Sequence, residues 1–95
     1  MNHTTLTACI AEVSALRYTP AGLPALDLML EHDAEHTEAG HPRRVNLKIR
    51  ALALGTQAER LARQAVGSQW RFEGFLASPR QGRSVVLHIQ EFQQD

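Results

Sequence analysis

The alternation of apolar and polar residues predicts a chain built mainly from β-strands. It is clearest in the segment "RRVNLKIRALALG", residues 43–55. Alternate positions there are apolar, namely Val45, Leu47, Ile49 and Ala51. The positions between them are polar or cationic, and we call them the basic stripe: Arg44, Asn46, Lys48 and Arg50. Because successive side chains of a strand point to opposite faces, the segment predicts a strand with one apolar and one basic face.

Further segments along the chain also have the composition of strands. They are "LTACIAEVSAL", "ALDLMLEH", "QWRFEGFLA" and "VVLHIQEF", at residues 6–16, 25–32, 69–77 and 85–92. Pro20, Gly22 and Pro24 predict a turn between the first two strands. The polar run "DAEHTEAGHP", residues 33–42, predicts the connection of a long hairpin between the second strand and the basic one.

The residues after Gly55 change to a helical period. In "TQAERLARQAV", residues 56–66, the apolar side chains recur at helical spacing. Thr56 is the predicted N-cap, with Glu59 in the first turn, and Gly67 is the predicted stop. The segment therefore predicts a short helix of about three turns.

The predicted order is three strands, one helix and two strands, within a single domain of residues 1–95. This is the order of the OB-fold, an all-β, five-stranded Greek-key barrel. Barrels of this kind bind oligonucleotides on a face built largely from the second and third strands, flanked by two loops. The order of elements therefore places the basic stripe, which lies on the third strand, on a face that binds nucleic acids.

Several polar residues are candidates for contacts with a nucleic acid. The cations of the basic stripe are placed to follow phosphates, and Asn46 is placed to hydrogen-bond a base or a sugar. Arg80 and Arg83, in the turn "SPRQGRS", are predicted to close over a bound strand. These residues predict a binding face for single-stranded nucleic acid.

Charge is balanced overall but segregated along the chain. The sequence has ten acidic and ten basic residues, so the net charge provides no attraction to a polyanion. Residues 27–38 hold five acids and no Lys or Arg, whereas residues 43–50 hold four bases and no acid. The acidic run would repel phosphate, and it supports a different function: a protein-interaction adaptor whose charged hairpin docks a partner and whose contact with DNA is incidental.

The cysteine content and the hydropathy limit the cellular location. Cys9 is the only cysteine, so no internal disulfide forms, and the first residues do not have the charged start and apolar run of a signal peptide. No apolar run approaches the roughly 20 residues needed to span a bilayer. We therefore expect a cytoplasmic protein that does not associate with a membrane.

Short motifs spread along nearly the whole chain carry a resemblance to a known family. They are "TPAGLP", "LEH", "EAGHPRR", "VGSQWRFEGFLA" and "SVVLHIQEF". In this order the chain resembles primosomal replication protein N, the PriB family, a relative of bacterial single-stranded DNA-binding protein. The resemblance implies an OB-fold homodimer without enzymatic activity that helps to restart stalled replication forks. The partners it implies are single-stranded DNA, a primosomal helicase and further primosome proteins.

The same resemblance implies a set of DNA-facing residues. They are Arg17, His41, Arg43, Asn46, Lys48, Arg80 and Arg83. Members of the family can carry base-stacking aromatic residues on the hairpin, where this chain has His41 and Asn46. Since stacking contributes roughly 1–3 kcal/mol per base, we expect a more electrostatic and salt-sensitive interaction here. We also expect the exposed edge of the first strand to pair in the dimer.

The aromatic residues have different expected roles. Trp70 and Phe72 share a face with Leu76, which favours packing in the core. Tyr18 lies beside the first turn, where it would either stack on a base or cover the end of the barrel. His88 and Cys9 are interpreted as ordinary barrel residues.

Neither a metal site nor a catalytic site is expected. His32 and His36 are four residues apart, a spacing that brings two ligands together on a helix, but this segment reads as a strand followed by a loop. The spacing of the residues also identifies no nucleophile with a partner base, and no glycine-rich phosphate loop. We therefore expect a binding protein without a cofactor.

Overall fold

The computed structural model describes residues 1–82 and 84–94 of the chain. Within them lie six strands and one helix. Their bounds are Thr4–Val13 (β1), Arg17–Tyr18 (β2), Pro24–Glu38 (β3), His41–Leu54 (β4), Thr56–Ala62 (α1), Gln69–Ala77 (β5) and Val86–Gln93 (β6). Apart from the two-residue β2, the order is the predicted one of three strands, a helix and two strands.

The long strands close into a barrel. β1 pairs antiparallel with β5 through residues 4–9 and with β3 through residues 9–13, so it belongs to two sides of the barrel. β3 pairs antiparallel with β4, β4 lies parallel to β6, and β6 pairs antiparallel with β5. This circuit confirms the predicted five-stranded OB barrel. β2 lengthens the sheet by pairing with the start of β3.

The hydrophobic core lies inside the barrel. Its largest fully buried side chains come from β1, β3, α1, β5 and β6: Ile10, Leu26, Leu30, Leu61, Phe72 and Leu87. α1 packs against this core through Ala58 and Leu61. Burying one such large apolar side chain contributes roughly 1.5–3 kcal/mol. The barrel is therefore a rigid support for the side chains on its outer surface.

Trp70 and Phe72 occupy the core side of β5, as predicted. Phe72 is fully buried, and Trp70 is partly buried against the core cluster. The Trp70 ring meets Phe92 edge-on, with 5.1 Å between ring centroids, and its Nε1 donates a hydrogen bond of 2.9 Å to Ser68 Oγ. The indole N–H is thus satisfied at the edge of the core, so the prediction that these two aromatic residues serve packing is confirmed.

Gly74 is required by the packing of β5 on β6. The register between these strands shifts at Glu73 and Gly74, which marks a bulge. A Cβ atom at Gly74 would overlap the backbone carbonyl oxygen of His88. Any larger residue would push the two strands apart, so the glycine of the "EGFL" segment has a steric cause.

The strands of the hairpin formed by β3 and β4 are longer than the sequence predicted. The polar run 33–42 was expected to be a connection, but residues 33–38 and 41–42 belong to the strands, and the turn is confined to Ala39 and Gly40. Both turn residues have positive φ, 52° and 79°. This two-residue turn keeps the strands in register, so the pairing extends to Glu38 and His41.

The helix is shorter than predicted and begins differently. α1 has seven residues rather than eleven, and its N-cap is Gly55, at φ 67°, without a side-chain cap hydrogen bond. The prediction of Thr56 as N-cap was therefore wrong. The chain leaves the helix after Ala62 through hydrogen bonds from the N–H groups of Arg63 and Gln64 to carbonyls three residues earlier. Of residues 56–66, only Ala58 and Leu61 of α1 belong to the core cluster.

Candidate nucleic-acid interface

The β3–β4 hairpin has two halves with different surroundings. Pairing of β3 with β1 reaches Glu31, and pairing of β4 with β6 begins at Arg50. We call residues 24–31 and 48–54 the barrel-proximal half, and residues 32–38 and 41–47 the distal half. In the distal half the two strands pair only with each other. The longest dimension of the molecule is 49 Å, in keeping with the extended backbone of the two long hairpin strands.

The basic stripe lies on the outer face of this hairpin, together with acidic residues of β3. Glu31 is opposite Lys48, Asp33 opposite Asn46 and Glu35 opposite Arg44. The acidic and basic runs, which are separate in the sequence, therefore alternate across one face of the folded hairpin. This register corrects the sequence-based expectation of a segregated local field, because the electric fields of neighbouring opposite charges largely cancel each other.

The cations of the distal half are paired with carboxylates. Arg44 holds Asp33 through two hydrogen bonds, Nε to Oδ1 at 2.8 Å and Nη2 to Oδ2 at 3.1 Å. These bonds lower the pKa of Asp33 and raise the pKa of Arg44. Arg43 Nη1 lies 2.8 Å from Glu38 Oε1. Since a phosphate must compete with these carboxylates, the distal cations are poorly available to it.

The amide in the basic stripe is also engaged. Asn46 Nδ2 donates a hydrogen bond of 3.1 Å to Glu31 Oε2. In this arrangement the amide NH₂ group serves the adjacent strand rather than a ligand. Hydrogen-bonding to a base, the role predicted for Asn46, would require this bond to be exchanged.

The cations of the barrel-proximal half have a different environment. Lys48 and Arg50 are exposed, and within residues 1–82 and 84–94 neither forms an ion pair. They stand one above the other on the outer face of β4, where the strand joins the barrel. These two cations are the members of the basic stripe that are free to meet a phosphate.

A cavity opens beside Arg50 on the same outer face. Its volume is about 830 Å³, and it lies between the β1–β3 connection and the start of the β5–β6 connection. Its apolar lining includes Val13, Met29, Leu52 and Val86. A concave apolar surface with a few charged groups at its rim is the usual form of a ligand site.

Arg17 also lines this cavity. Its Nε and Nη2 atoms hold Asp27 through hydrogen bonds of 2.8 and 3.2 Å. This bidentate contact raises the pKa of Arg17. The prediction placed Arg17 at the DNA-facing surface, and the structure brings it to the same cavity as Arg50.

Sequence reasoning missed an aromatic pair on the wall of this region. Phe75 of β5 and His88 of β6 stack with 4.8 Å between ring centroids and an interplanar angle of 15°. His88 lines the cavity. A signal was present, since Phe75 shares its strand face with Arg71 and Glu73 and so points away from the core. Both rings are partly buried, and His88 belongs to barrel strand β6, as expected of a barrel residue.

The remaining predicted residues are not gathered at this cavity. Tyr18 has 65% of its surface exposed, so it does not cover the end of the barrel. His41 and Arg43 lie on the inner face of the hairpin, because they alternate with the basic stripe. Arg80 is exposed in the loop that follows the cavity-lining Pro79. Arg83 lies outside the described residues.

His32 and His36 do meet, contrary to the spacing argument. Their Nε2 atoms are 3.1 Å apart although both residues belong to strand β3. Residues four apart on a strand share a face, and two long side chains on that face can lean towards each other. The geometric reason for dismissing this pair was therefore wrong.

No helix among residues 1–82 and 84–94 has the length and apolar character needed to cross a membrane.

Comparisons with known proteins agree with this fold. A family model described as "another single-strand binding protein family" matches residues 2–91. The chain is 50% identical to replication restart protein PriB of Bordetella pertussis, over 96% of this chain and 86% of that one. It is 40% identical to PriB of Neisseria meningitidis serogroup B, over 98% of this chain and 93% of that one.

Solved structures give the same assignment. PriB from Ralstonia solanacearum superposes with a TM-score of 0.90 at 35% identity, covering 99% of this chain and 97% of that one. The single-stranded DNA binding protein from Thermus aquaticus superposes with a TM-score of 0.77 at 29% identity, covering 98% of this chain and 49% of that one. The chain therefore belongs to the PriB family of replication restart proteins, relatives of the bacterial single-stranded DNA-binding proteins.

Proposed function

We propose that this chain is a single-stranded DNA-binding accessory protein of the replication-restart primosome. The observation that carries the proposal is the position of Lys48 and Arg50, which are free of ion pairs among the described residues. Arg50 lines the outer-face cavity, and Lys48 lies two residues away on the same face of β4. The names of the related proteins support the role in replication restart and the binding of single-stranded DNA.

The outer face provides complementary groups for the two parts of a nucleotide. Lys48 and Arg50 neutralise phosphates, which supplies the sequence-independent part of the affinity. A base that leaves the stack enters the cavity and packs against Met29 and Leu52. His88, supported by its stack on Phe75, offers an aromatic surface at the same wall.

The paired charges of the distal half set the strength of this interaction. Each carboxylate there must be displaced before its arginine can hold a phosphate, and residues 32–38 and 41–47 contain no Phe, Tyr or Trp to compensate by stacking. We therefore propose that binding depends on few phosphate contacts and weakens strongly with salt.

The proposed setting is that of the family. The chain works as a homodimer in the cytoplasm, without catalytic activity, and stabilises the primosomal helicase on DNA. The curated relatives support the general setting through their name, replication restart protein. A binding role also agrees with an apolar cavity that has the exposed cation Arg50 in its lining.

The first experiment measures binding of a labelled oligothymidine by fluorescence anisotropy over a series of salt concentrations. For the wild-type protein, log K should fall with log salt by about 0.7 for each phosphate neutralised. Lys48→Glu should abolish binding at moderate salt, because it replaces an available cation by a repelling charge. Arg63→Glu is the matched control, since it makes the same change in charge at an exposed position that follows α1.

The two variants separate specific binding from a general charge effect. Equal losses for Lys48→Glu and Arg63→Glu would show that the outer face has no special role. Failure of the folded wild-type protein to bind at low salt would overturn the proposal.

The neutralised distal half favours a second candidate function, that of a protein-interaction adaptor. Its ion pairs, Arg44 with Asp33 and Arg43 with Glu38, present a surface of mixed charge, which suits a protein partner better than a polyanion. An adaptor would bind its partner with unchanged affinity in the Lys48→Glu variant. In that case the same anisotropy series would show no salt-dependent binding of DNA by the wild type.

A further inference from the structure

The distal half of the hairpin carries a pair of histidines on its inner face, the side opposite the basic stripe. The rings of His32 and His36 have centroids 5.3 Å apart and planes inclined by 39°. Their Nε2 atoms are separated by 3.1 Å. His32 is half-buried and His36 is exposed, so the pair is open to solvent on one side.

A backbone carbonyl fixes the tautomer of His32. Its Nδ1 lies 2.6 Å from the carbonyl oxygen of Thr7 on β1. A carbonyl oxygen only accepts hydrogen bonds, so Nδ1 carries the hydrogen, and Nε2 of the neutral ring has a lone pair. That lone pair faces His36. Histidines that bind metals are commonly oriented in this way, with the second ring nitrogen donating to a backbone carbonyl.

The separation of the two Nε2 atoms fits two ligands of one ion. For nitrogens 3.1 Å apart, each about 2.0–2.1 Å from a zinc ion, the angle at the ion is roughly 95–100°. This angle is within reach of tetrahedral coordination, and imidazole is a favoured ligand of zinc. The same separation also fits one hydrogen bond from His36 Nε2–H to the lone pair of His32.

We propose that His32 and His36 form a two-histidine site for Zn²⁺, completed by water. Within residues 1–82 and 84–94, no cluster of three or more potential ligand side chains is present, so the protein supplies two ligands. Because His36 is exposed, water can reach the remaining positions on an ion held between the two Nε2 atoms.

The proposal replaces the sequence-based expectation that this chain binds no metal. It is independent of the proposed DNA-binding function, because the histidines and the basic stripe occupy opposite faces of the hairpin. Zinc held there would join His36 to His32, whose other ring nitrogen is bonded to Thr7 of β1.

Isothermal titration of the full chain with ZnCl₂ tests the site, and the visible spectrum of the Co²⁺-loaded protein reports the ligand geometry. The wild type is expected to bind one equivalent of zinc. His36→Ala should weaken binding by at least about tenfold, because loss of even a supporting partner of a ligand costs about 10–100-fold. His36→Gln should weaken it equally, although glutamine can still donate a hydrogen bond to His32.

Two further variants are matched controls. His41→Ala removes an exposed histidine from the same inner face, and His3→Ala removes one near the N-terminus. Both should leave the affinity for zinc unchanged, and circular dichroism should show that every variant is folded. Absence of saturable binding by the wild type, or an equal loss in all four variants, would overturn the proposal and leave the histidines as a hydrogen-bonded pair.

Discussion

The barrel-proximal and distal halves of the β3–β4 hairpin share one alternating pattern but have different environments. In the proximal half, the inner face is core, and Leu30 is fully buried. In the distal half, the same face is open, and Leu47 keeps 41% of its surface exposed. The outer faces differ in the opposite sense, since Lys48 and Arg50 are available near the barrel, whereas Arg44 is paired with Asp33.

The difference shows that position relative to the barrel decides what each residue of the alternation does. An apolar residue stabilises the fold only where another layer covers it. A cation attracts a ligand only where the neighbouring strand has not already neutralised it. The proximal half therefore combines a stable support with free charge, and the distal half has neither.

The largest expected effect concerns stability. Leu30→Ala should lower the free energy of unfolding by about 2–5 kcal/mol, the usual cost of such a truncation in a core. Leu47→Ala, on the same inner face but in the distal half, should change it by less than about 0.5 kcal/mol, as surface substitutions do. Urea unfolding followed by circular dichroism measures both values.

A large loss for Leu47→Ala would break the comparison, because it would mean that the inner face of the distal half is covered in solution. Repeating the measurement over a range of protein concentrations would then show whether a second copy provides the cover.

Much of this barrel could be predicted from the sequence, and the exceptions have a common cause. The strand 69–77 was predicted with the bounds observed for β5, since its apolar residues alternate and face the core. The composition of residues 33–38, polar on both faces, predicts a loop. These residues form a strand because they pair with β4. Asp33 and its neighbours lack the alternating hydrophobic pattern that would have predicted a strand from the sequence.

The cationic residues of the site could be predicted from the sequence, but the partners of their side chains could not. The basic stripe follows from alternation alone, and its position on the face that OB-folds generally use for oligonucleotides follows from the order of elements. The partners of Arg44 and Asn46 depend on the register of β3 against β4, which the sequence does not state. Phe75 and His88 meet for the same kind of reason, through the register of β5 against β6.

The next largest effect concerns the two arginines of the basic stripe. Arg50→Gln should weaken binding of oligothymidine several-fold and reduce the salt slope by about 0.7, the share of one phosphate contact. Arg44→Gln should leave the slope unchanged, because Asp33 rather than a phosphate is its partner. Anisotropy titrations over a salt series provide both slopes. Equal reductions would mean that DNA displaces the carboxylate and that the two halves act alike.

The smallest expected effect on DNA binding comes from breaking the ion pair between Arg44 and Asp33 while keeping Arg44. Asp33→Asn keeps the size of the side chain and deletes the competing charge, so Arg44 becomes available to a phosphate. We expect tighter binding and a salt slope steeper by about 0.7. The double variant Asp33→Asn/Arg44→Gln is the control, and a gain in slope that persists there would assign the effect to a different cation.

Acid should not reproduce this release at ordinary pH, because the hydrogen bonds from Arg44 lower the pKa of Asp33. The carboxylate pairs with Arg44 throughout the range above the unfolded-state pKa of aspartate, about 3.9. The stability that the pair contributes is thus fully present above that value and is lost only as the pH falls through the lower pKa of the folded state. Thermal unfolding of the wild type and Asp33→Asn should therefore differ by a constant amount from pH 7 to pH 5. If the unfolding temperatures of the two proteins converge within that range, Asp33 gains a proton there. Mild acid would then release Arg44 and make the distal half more available to phosphate.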